Sequence, residues 1–389
     1  MLIKFIVGLV SLIIPVRRKL YIFGSWSAKR YGDNTRYFYE YLSNVSDTYQ
    51  VYWYTDNESV NEYLKGKGLQ TIYGFSLRAI WLHIRAEAIF CNCHQNTDLL
   101  GNYINSKTKV FNLWHGTPMK FIGSDAIKSG IGDLCIDRSG NFKRLFVKKV
   151  KSFLECIGLS NKIYYLASSE AVASCLKSAF NLNDDNIIIA PYPKLKLDIL
   201  KNENSNNINI LFAPTYRGKY NSENDILTTH GFSVDRVDAW LERENAILFI
   251  RLHPANRLPD SIIRMINNSN YIHIDTSADI YERFSIYDVV ITDFSSVYFD
   301  AIATKKLSLL CPMGFSDYLK NDRDLYYQPE FLFPFRLSYS WDELINNYDY
   351  YKLLKESDFF DLRDIFYPHD VKENPSELLL KAIKCILKD

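Results

Sequence analysis

The chain has no excess of either charge. Lys and Arg number 46 against 45 Asp and Glu over 389 residues, a formal net charge of +1. That balance excludes the basic signature of a nucleic-acid binder, and no nucleic acid is expected as a partner. Cysteine is scarce, with seven residues at irregular spacing. This excludes a disulfide framework and fits a reducing compartment. The sequence contains no Gly-rich loop ending in Lys-Ser/Thr, no His-Glu-x-x-His and no Gly-x-Ser-x-Gly. Gly130-Ile131-Gly132 lacks both the third glycine and the preceding strand of a dinucleotide fingerprint. Cys91-Asn92-Cys93-His94 carries soft ligands with no second cluster, so neither a metal nor a cofactor is expected.

Long apolar runs are missing too, apart from Leu2 to Val16, which Lys4, Gly8 and Ser11 interrupt and Arg17-Arg18-Lys19 follow. The run is shorter than the ~20 residues of a spanning helix and has no small-x-small cleavage site. Residues 1–19 therefore read as a membrane-associating segment whose basic end meets anionic headgroups, peripheral on the cytoplasmic face. The alternative is a first helix buried on a sheet.

What the chain does have is apolar and aromatic content, 47% and 15%, with 28 Tyr and 24 Phe placed mainly in cores. Its length favours two domains. Strands are expected at Leu20–Phe23, Val51–Tyr54, Thr71–Tyr73, Ala88–Cys91, Lys109–Leu113, Ile163–Leu166 and Ile187–Ala190. In the second half they are expected at Ile208–Ala213, Ala246–Arg251, Tyr271–Ile274, Asp288–Thr292 and Leu307–Leu310. Helical stretches such as Thr35–Leu42 and Ser76–Arg85 alternate with them, which indicates an α/β class with parallel sheets. Pro191-Tyr192-Pro193 and the polar run Lys201 to Asn207 mark a boundary. The expected division is 20–190, a linker at 191–207, and 208–389. Asn141 to Leu154 reads as a basic amphipathic helix, suited to a membrane surface, a polyanion or plain solvent.

Four apolar runs end in reactive polar residues. They are closed by His115-Gly116-Thr117-Pro118, Pro214-Thr215-Tyr216-Arg217, Arg251-Leu252-His253-Pro254 and Asp293-Phe294-Ser295-Ser296. Such runs suit strands buried on both faces of a parallel sheet, and ligands of open α/β sheets bind beyond the carboxyl ends of the strands. The set points to phosphate chemistry. Ser295 and Ser296 precede an expected helix, Val297 to Thr304, whose exposed N–H groups favour an anion. Phosphate would repel Asp293, which suits a ribose hydroxyl or the orientation of a histidine. His115, in a tight turn, has the chemistry of a general base. Arg251 and His253 are two apart and share a strand face, a pairing suited to pyrophosphate, with Thr215 and Arg217 adding to the same floor. The structural alternatives are helix capping by the serines, a turn histidine, a buried ion pair for Arg251 and a solvated Arg217. Asp322-Arg323-Asp324 has the Asp-x-Asp form of metal-dependent sugar transferases but follows no strong strand.

Taken together, Leu113 to Pro118, Ala213 to Arg217, Arg251 to Pro254 and Thr292 to Ser296 resemble the CDP-glycerol glycerophosphotransferase family of teichoic-acid and capsule enzymes. Tyr21 to Ser25 with Gly32-Asp33-Asn34, and Arg323 to Tyr326, are similar to its first and late segments. The resemblance implies a GT-B-like architecture, two Rossmann-like domains with parallel sheets facing a central cleft. It implies transfer of glycerol or ribitol phosphate from CDP-glycerol or CDP-ribitol to a lipid-linked glycan or polyol-phosphate acceptor, with release of CMP. It makes His115 and His253 the catalytic pair. It makes Asp293, Ser295 and Ser296 the nucleotide-facing segment, and these with Gly116, Thr117, Thr215, Arg217 and Arg251 form the expected substrate-binding set. Where the family shows Gly-x-Pro-Arg-x-Asp, this chain has Pro191-Tyr192-Pro193-Lys194-Leu195-Lys196. Lysine keeps the charge and loses the fork, so this region is expected to hold a different acceptor or no ligand. The other enzymatic reading is a GT-B glycosyltransferase that uses a nucleotide sugar. The non-enzymatic reading is a polymer-binding scaffold at the membrane.

Overall fold

The computed structural model describes residues 6–7, 10–11, 13–45, 48–128, 161–195, 206–215, 217, 222–223, 226–253, 256–369 and 372–387. The basic helix expected at Asn141 to Leu154 lies outside them.

The first half is a seven-stranded parallel sheet built from β1 Arg17–Phe23, β2 Gln50–Thr55, β3 Thr71–Tyr73, β4 Ala86–Cys91, β5 Lys109–Asn112, β6 Ile163–Ala167 and β7 Ile187–Ile189. Their order is β3-β2-β1-β4-β5-β6-β7. Leu20, Tyr21, Ile22 and Phe23 are all buried, because both sheet faces are covered. Tyr21 and Phe23 pack with Phe38, Tyr39 and Leu42 of the Asp33–Val45 helix. Ile22 packs on the other side with Ala79 and Leu99. Phe23, Phe90, Phe111 and Tyr164 stand in register on β1, β4, β5 and β6. Their rings stack at 4.4, 5.2 and 5.4 Å. Each such pair adds ~0.5–1.5 kcal/mol beyond its burial, and much of the Phe and Tyr content is spent in this way.

The second half is a five-stranded parallel sheet of β8 Ile208–Phe212, β10 Ala246–Ile250, β12 Ile272–Ile274, β13 Val289–Thr292 and β14 Leu307–Leu310, with a two-residue pair β9 Ser222–Glu223 and β11 Asn256–Arg257 beside it. The order is β12-β10-β8-β13-β14. Phe212 packs on Trp341 at 4.9 Å, and Trp240 on Tyr348 at 5.0 Å.

Every expected strand is present, with ends that differ by at most one residue except at the starts of β1 and β4, which lie three and two residues earlier. Three boundary features differ from expectation. First, β1 begins at Arg17, so the basic triplet belongs to the sheet, and the Lys19 N–H donates to Glu87. Second, the boundary region is not solvated at its start: Tyr192, Lys194 and Leu195 are buried. Third, the chain end does not stay on the second half. Leu379, Leu380 and Ile383 of the Pro375–Leu387 helix join the core of Tyr21 and Phe38. The Ser168 hydroxyl donates to the Phe366 carbonyl at 2.8 Å.

Candidate active site between the two sheets

Each sheet reverses its strand order at a central strand, between β1 and β4 in the first half and between β8 and β13 in the second. Ligand crevices form outside such reversals. Between them lies a cleft of about 730 Å³ lined by Trp26, Lys29, Arg30, Gly32, Asp33, His115, Gly116, Thr117, Lys120, Arg251, His253, Ser295 and Ser296 among others.

The His115 turn is held from several sides. The Asn112 Oδ1 accepts from the Trp114 N–H at 2.9 Å, and the Asn34 amide donates to the Leu113 carbonyl at 2.9 Å. Trp114 sits at φ 51° and Gly116 at φ 144°. A Cβ on residue 116 would stand 2.9 Å from the Ser296 Oγ, so glycine is required both by its backbone and by the close approach of the two halves. A tight turn of this kind would be expected to expose the imidazole. Instead the ring is half-buried, stacked on Trp114 at 4.2 Å and beside Trp26 at 5.2 Å. Burial, then Lys194 and Lys120, lower its pKa to about 3. His253 reaches solvent, yet the protein around it, then Lys120 and Arg30, lower its pKa to about 4. Both imidazoles are neutral at pH 7.

Of the ten site residues expected from the sequence, His115, Gly116, Thr117, Arg251, His253, Ser295 and Ser296 line this cleft. Thr215, Arg217 and Asp293 lie behind its wall. Asp293 is buried, and both of its oxygens are committed. Oδ1 accepts from the N–H groups of Thr215 at 2.7 Å and Phe294 at 2.6 Å, and Oδ2 accepts from Arg217 at 2.7 Å. Through these bonds Asp293 braces the ends of β8 and β13. Arg217 also donates to the Met313 carbonyl. Arg251 lines the cleft while paired with Asp275 at 2.9 Å and Ser277 at 2.7 Å, so its guanidinium is shared and not aimed with His253 alone.

Sequence reasoning did not single out Arg30, Asp33 and Lys120 as lining residues of the cleft. Lys120 follows the His115 turn and pairs with Leu325 in an isolated antiparallel bridge. The Phe121 N–H donates to the Asp324 carbonyl and the Tyr326 N–H to the Met119 carbonyl, at 2.8 and 2.9 Å. The late Arg323 to Tyr326 segment is therefore a strap that joins the halves. Asp322 pairs with Arg323 at 3.8 Å. Among the described residues no group of three His, Cys, Asp or Glu side chains is arranged to hold a metal ion. Asp33, at φ 64°, is buried at the start of its helix. Its pKa is raised to about 7 by burial, against the opposing pull of Lys194.

A profile of the CDP-glycerol:poly(glycerophosphate) glycerophosphotransferase family matches residues 6–371. The chain is 27% identical over 335 residues to a teichoic acid poly(glycerol phosphate) polymerase of Bacillus subtilis (strain 168), an alignment that covers 82% of this chain and 42% of that protein. It is 26% identical over 304 residues to a teichoic acid glycerol-phosphate transferase of Staphylococcus aureus (strain NCTC 8325 / PS 47), covering 74% and 72% of the two chains. The solved structure of the wall teichoic acid polymerase TagF superposes with a TM-score of 0.70 at 19% identity, over 100% of this chain and 92% of that one, which shows a shared GT-B-like fold.

Proposed function

Because the chain belongs to the CDP-glycerol:poly(glycerophosphate) glycerophosphotransferase family, we propose that it transfers an alditol phosphate, glycerol or ribitol, from a CDP-alditol to a hydroxyl acceptor and releases CMP. The observation that carries this reading is the convergence of His115, His253, Ser295 and Ser296 from separate strand ends on one cleft that also holds Arg30, Lys120 and Arg251.

The acceptor hydroxyl attacks the β-phosphorus in line. The bond from that phosphorus to the bridging oxygen breaks, CMP leaves with the oxygen, and His115 takes the hydroxyl proton. The neutral state of His115 supports this role, since a protonated ring accepts nothing. A bound diphosphate opposes Lys120 and raises the basicity of the imidazole as the substrate arrives. Lys120, Arg30, Arg251 and His253 spread the charge that develops on the phosphate oxygens of the departing CMP.

The acceptor is read as a lipid-linked glycan or a polyol phosphate on the cytoplasmic face of the membrane. Support comes from one surface of the first half. Ile13, Phe75 and Leu77 are 85%, 64% and 86% exposed, and Trp81 is exposed beside Arg85. The loop of residues 103–106 links them: Tyr103 touches the Phe75 ring, and the Ser106 N–H donates to the Ser11 Oγ. Among the described residues no helix is long and apolar enough to cross a membrane.

The deciding experiment incubates the protein with CDP-glycerol and with CDP-ribitol separately, plus an acceptor, and measures CMP. His115→Ala is expected to lower the rate by about 10²–10⁴-fold. Release of UDP or GDP from a nucleotide sugar would instead indicate a glycosyltransferase.

A further inference from the structure

Lys194 was expected to mark a region with a different acceptor or no ligand. Its ammonium is sealed from solvent at the junction of the halves. Burying an ammonium costs several kcal/mol unless it is fully paired, and here every N–H is used. Nζ donates to the Tyr281 hydroxyl at 2.7 Å, the His115 carbonyl at 3.0 Å and Asp300 Oδ2 at 3.1 Å. The Tyr281 hydroxyl in turn donates to the same Asp300 oxygen. Asp33 Oδ1 stands 3.6 Å from the ammonium. His115 and Asp33 belong to the first half. Tyr281 and Asp300 belong to the second, with Asp300 on the Val297–Ala303 helix that Ser295 and Ser296 precede. With its three donors engaged, Lys194 has none left for a phosphate.

We propose that Lys194 is a positioning residue for the transfer reaction: anchored on Asp300 and Tyr281, it holds the His115 carbonyl and so sets the imidazole against Ser295 and Ser296. The proposal rests on the function stated above. Two further observations support it. Gly116 approaches both Ser296 and the Lys194 ammonium, so the turn is seated on this contact. The Lys194 charge is also, after burial, the next largest cause of the low basicity of His115. The groups that face this pair are Asp33, Asp279, Asp300 and Tyr281 around Lys194, and Lys120 beside His115.

The test measures CDP-glycerol turnover and, separately, CDP-glycerol binding without acceptor, for Lys194→Met and Lys194→Arg. For Lys194→Met, kcat is expected to fall by about 10²-fold, the scale of a misplaced catalytic group, while donor affinity changes by less than about threefold (~0.7 kcal/mol). The acid limb of its kcat/KM profile is expected to move to higher pH, because the imidazole loses a neighbouring positive charge. A purely structural role moves no limb. Lys194→Arg is expected to restore the limb and part of kcat. Removing one member of a buried pair leaves the other uncompensated, so Lys194→Met combined with Asp300→Asn serves if the single variant does not fold. The folded double variant is expected to keep the kinetic defect. An unshifted limb with near-normal kcat, in either folded variant, overturns the proposal alone. A wild-type protein that releases no CMP from either CDP-alditol overturns the function and this proposal with it.

Discussion

The Thr215 N–H donates to Asp293 Oδ1 at 2.7 Å, across the point where the second sheet reverses its strand order. The same carboxylate takes Arg217 on its other oxygen. One buried side chain thus ties together two of the loops that the sequence suggested would touch substrate.

Asp293→Ala is therefore expected to act first on stability. It strips the Thr215 and Phe294 N–H groups and leaves Arg217 without its carboxylate. Breaking a buried pair in this way costs about 3–5 kcal/mol. Urea unfolding of the variant against wild type measures the loss. Unchanged stability with lost donor binding would restore Asp293 to direct substrate contact.

Gly116→Ala is expected to reduce turnover while the protein still folds. The φ of 144° is open to glycine only, and the added Cβ meets Ser296 at 2.9 Å. Strain of this kind costs about 1–3 kcal/mol. It is relieved by parting the two walls of the cleft, so kcat should fall by more than the melting temperature suggests. Full activity would mean that the halves do not close as tightly as this contact requires.

His83 predicts how stability changes with pH. The ring is fully buried. Nδ1 donates to the Ala79 carbonyl at 2.7 Å and Nε2 accepts from the Leu100 N–H at 3.3 Å, a tautomer assigned from those partners. Burial lowers its pKa to about 4. The unfolded chain binds this proton first, near pH ~6.5, so the stabilising contribution is full above that pH. It is lost as pH falls towards 4, by on the order of 3 kcal/mol. Asp33 works the other way, because its folded pKa of about 7 lies above the unfolded value and acidification favours the folded state. The difference between wild type and His83→Gln, in unfolding free energy at pH 7 and pH 5, isolates the histidine. Equal pH slopes in the two proteins would refute it.

Leu77→Glu with Trp81→Glu is expected to weaken sedimentation with anionic vesicles. Both side chains are exposed, so folding should be spared. Wild-type sedimentation should also fall at high salt if headgroup charge contributes. Equal vesicle binding by wild type and the double variant would move the membrane contact elsewhere.

The strands were legible because a strand covered on both faces is apolar along most of its length, and Val289 to Ile291 or Ile210 to Phe212 satisfy that without reference to any partner. The polar residues that close those runs were legible as candidates for the same reason, since parallel strands deliver their carboxyl ends to one edge. His115, His253, Ser295 and Ser296 line the cleft that the two edges face.

The sequence by itself determined that there are two parallel sheets and which residues stand at their working edge. Only the tertiary structure decided which of those residues face the cleft and which brace it. Asp293, Arg217 and Lys194 show why. Arg217 and Asp293 are 76 residues apart in the chain and Lys194 and Asp300 are 106 apart, and the direction of a charged side chain is set by whichever opposite charge the packing of the two halves brings within hydrogen-bond reach.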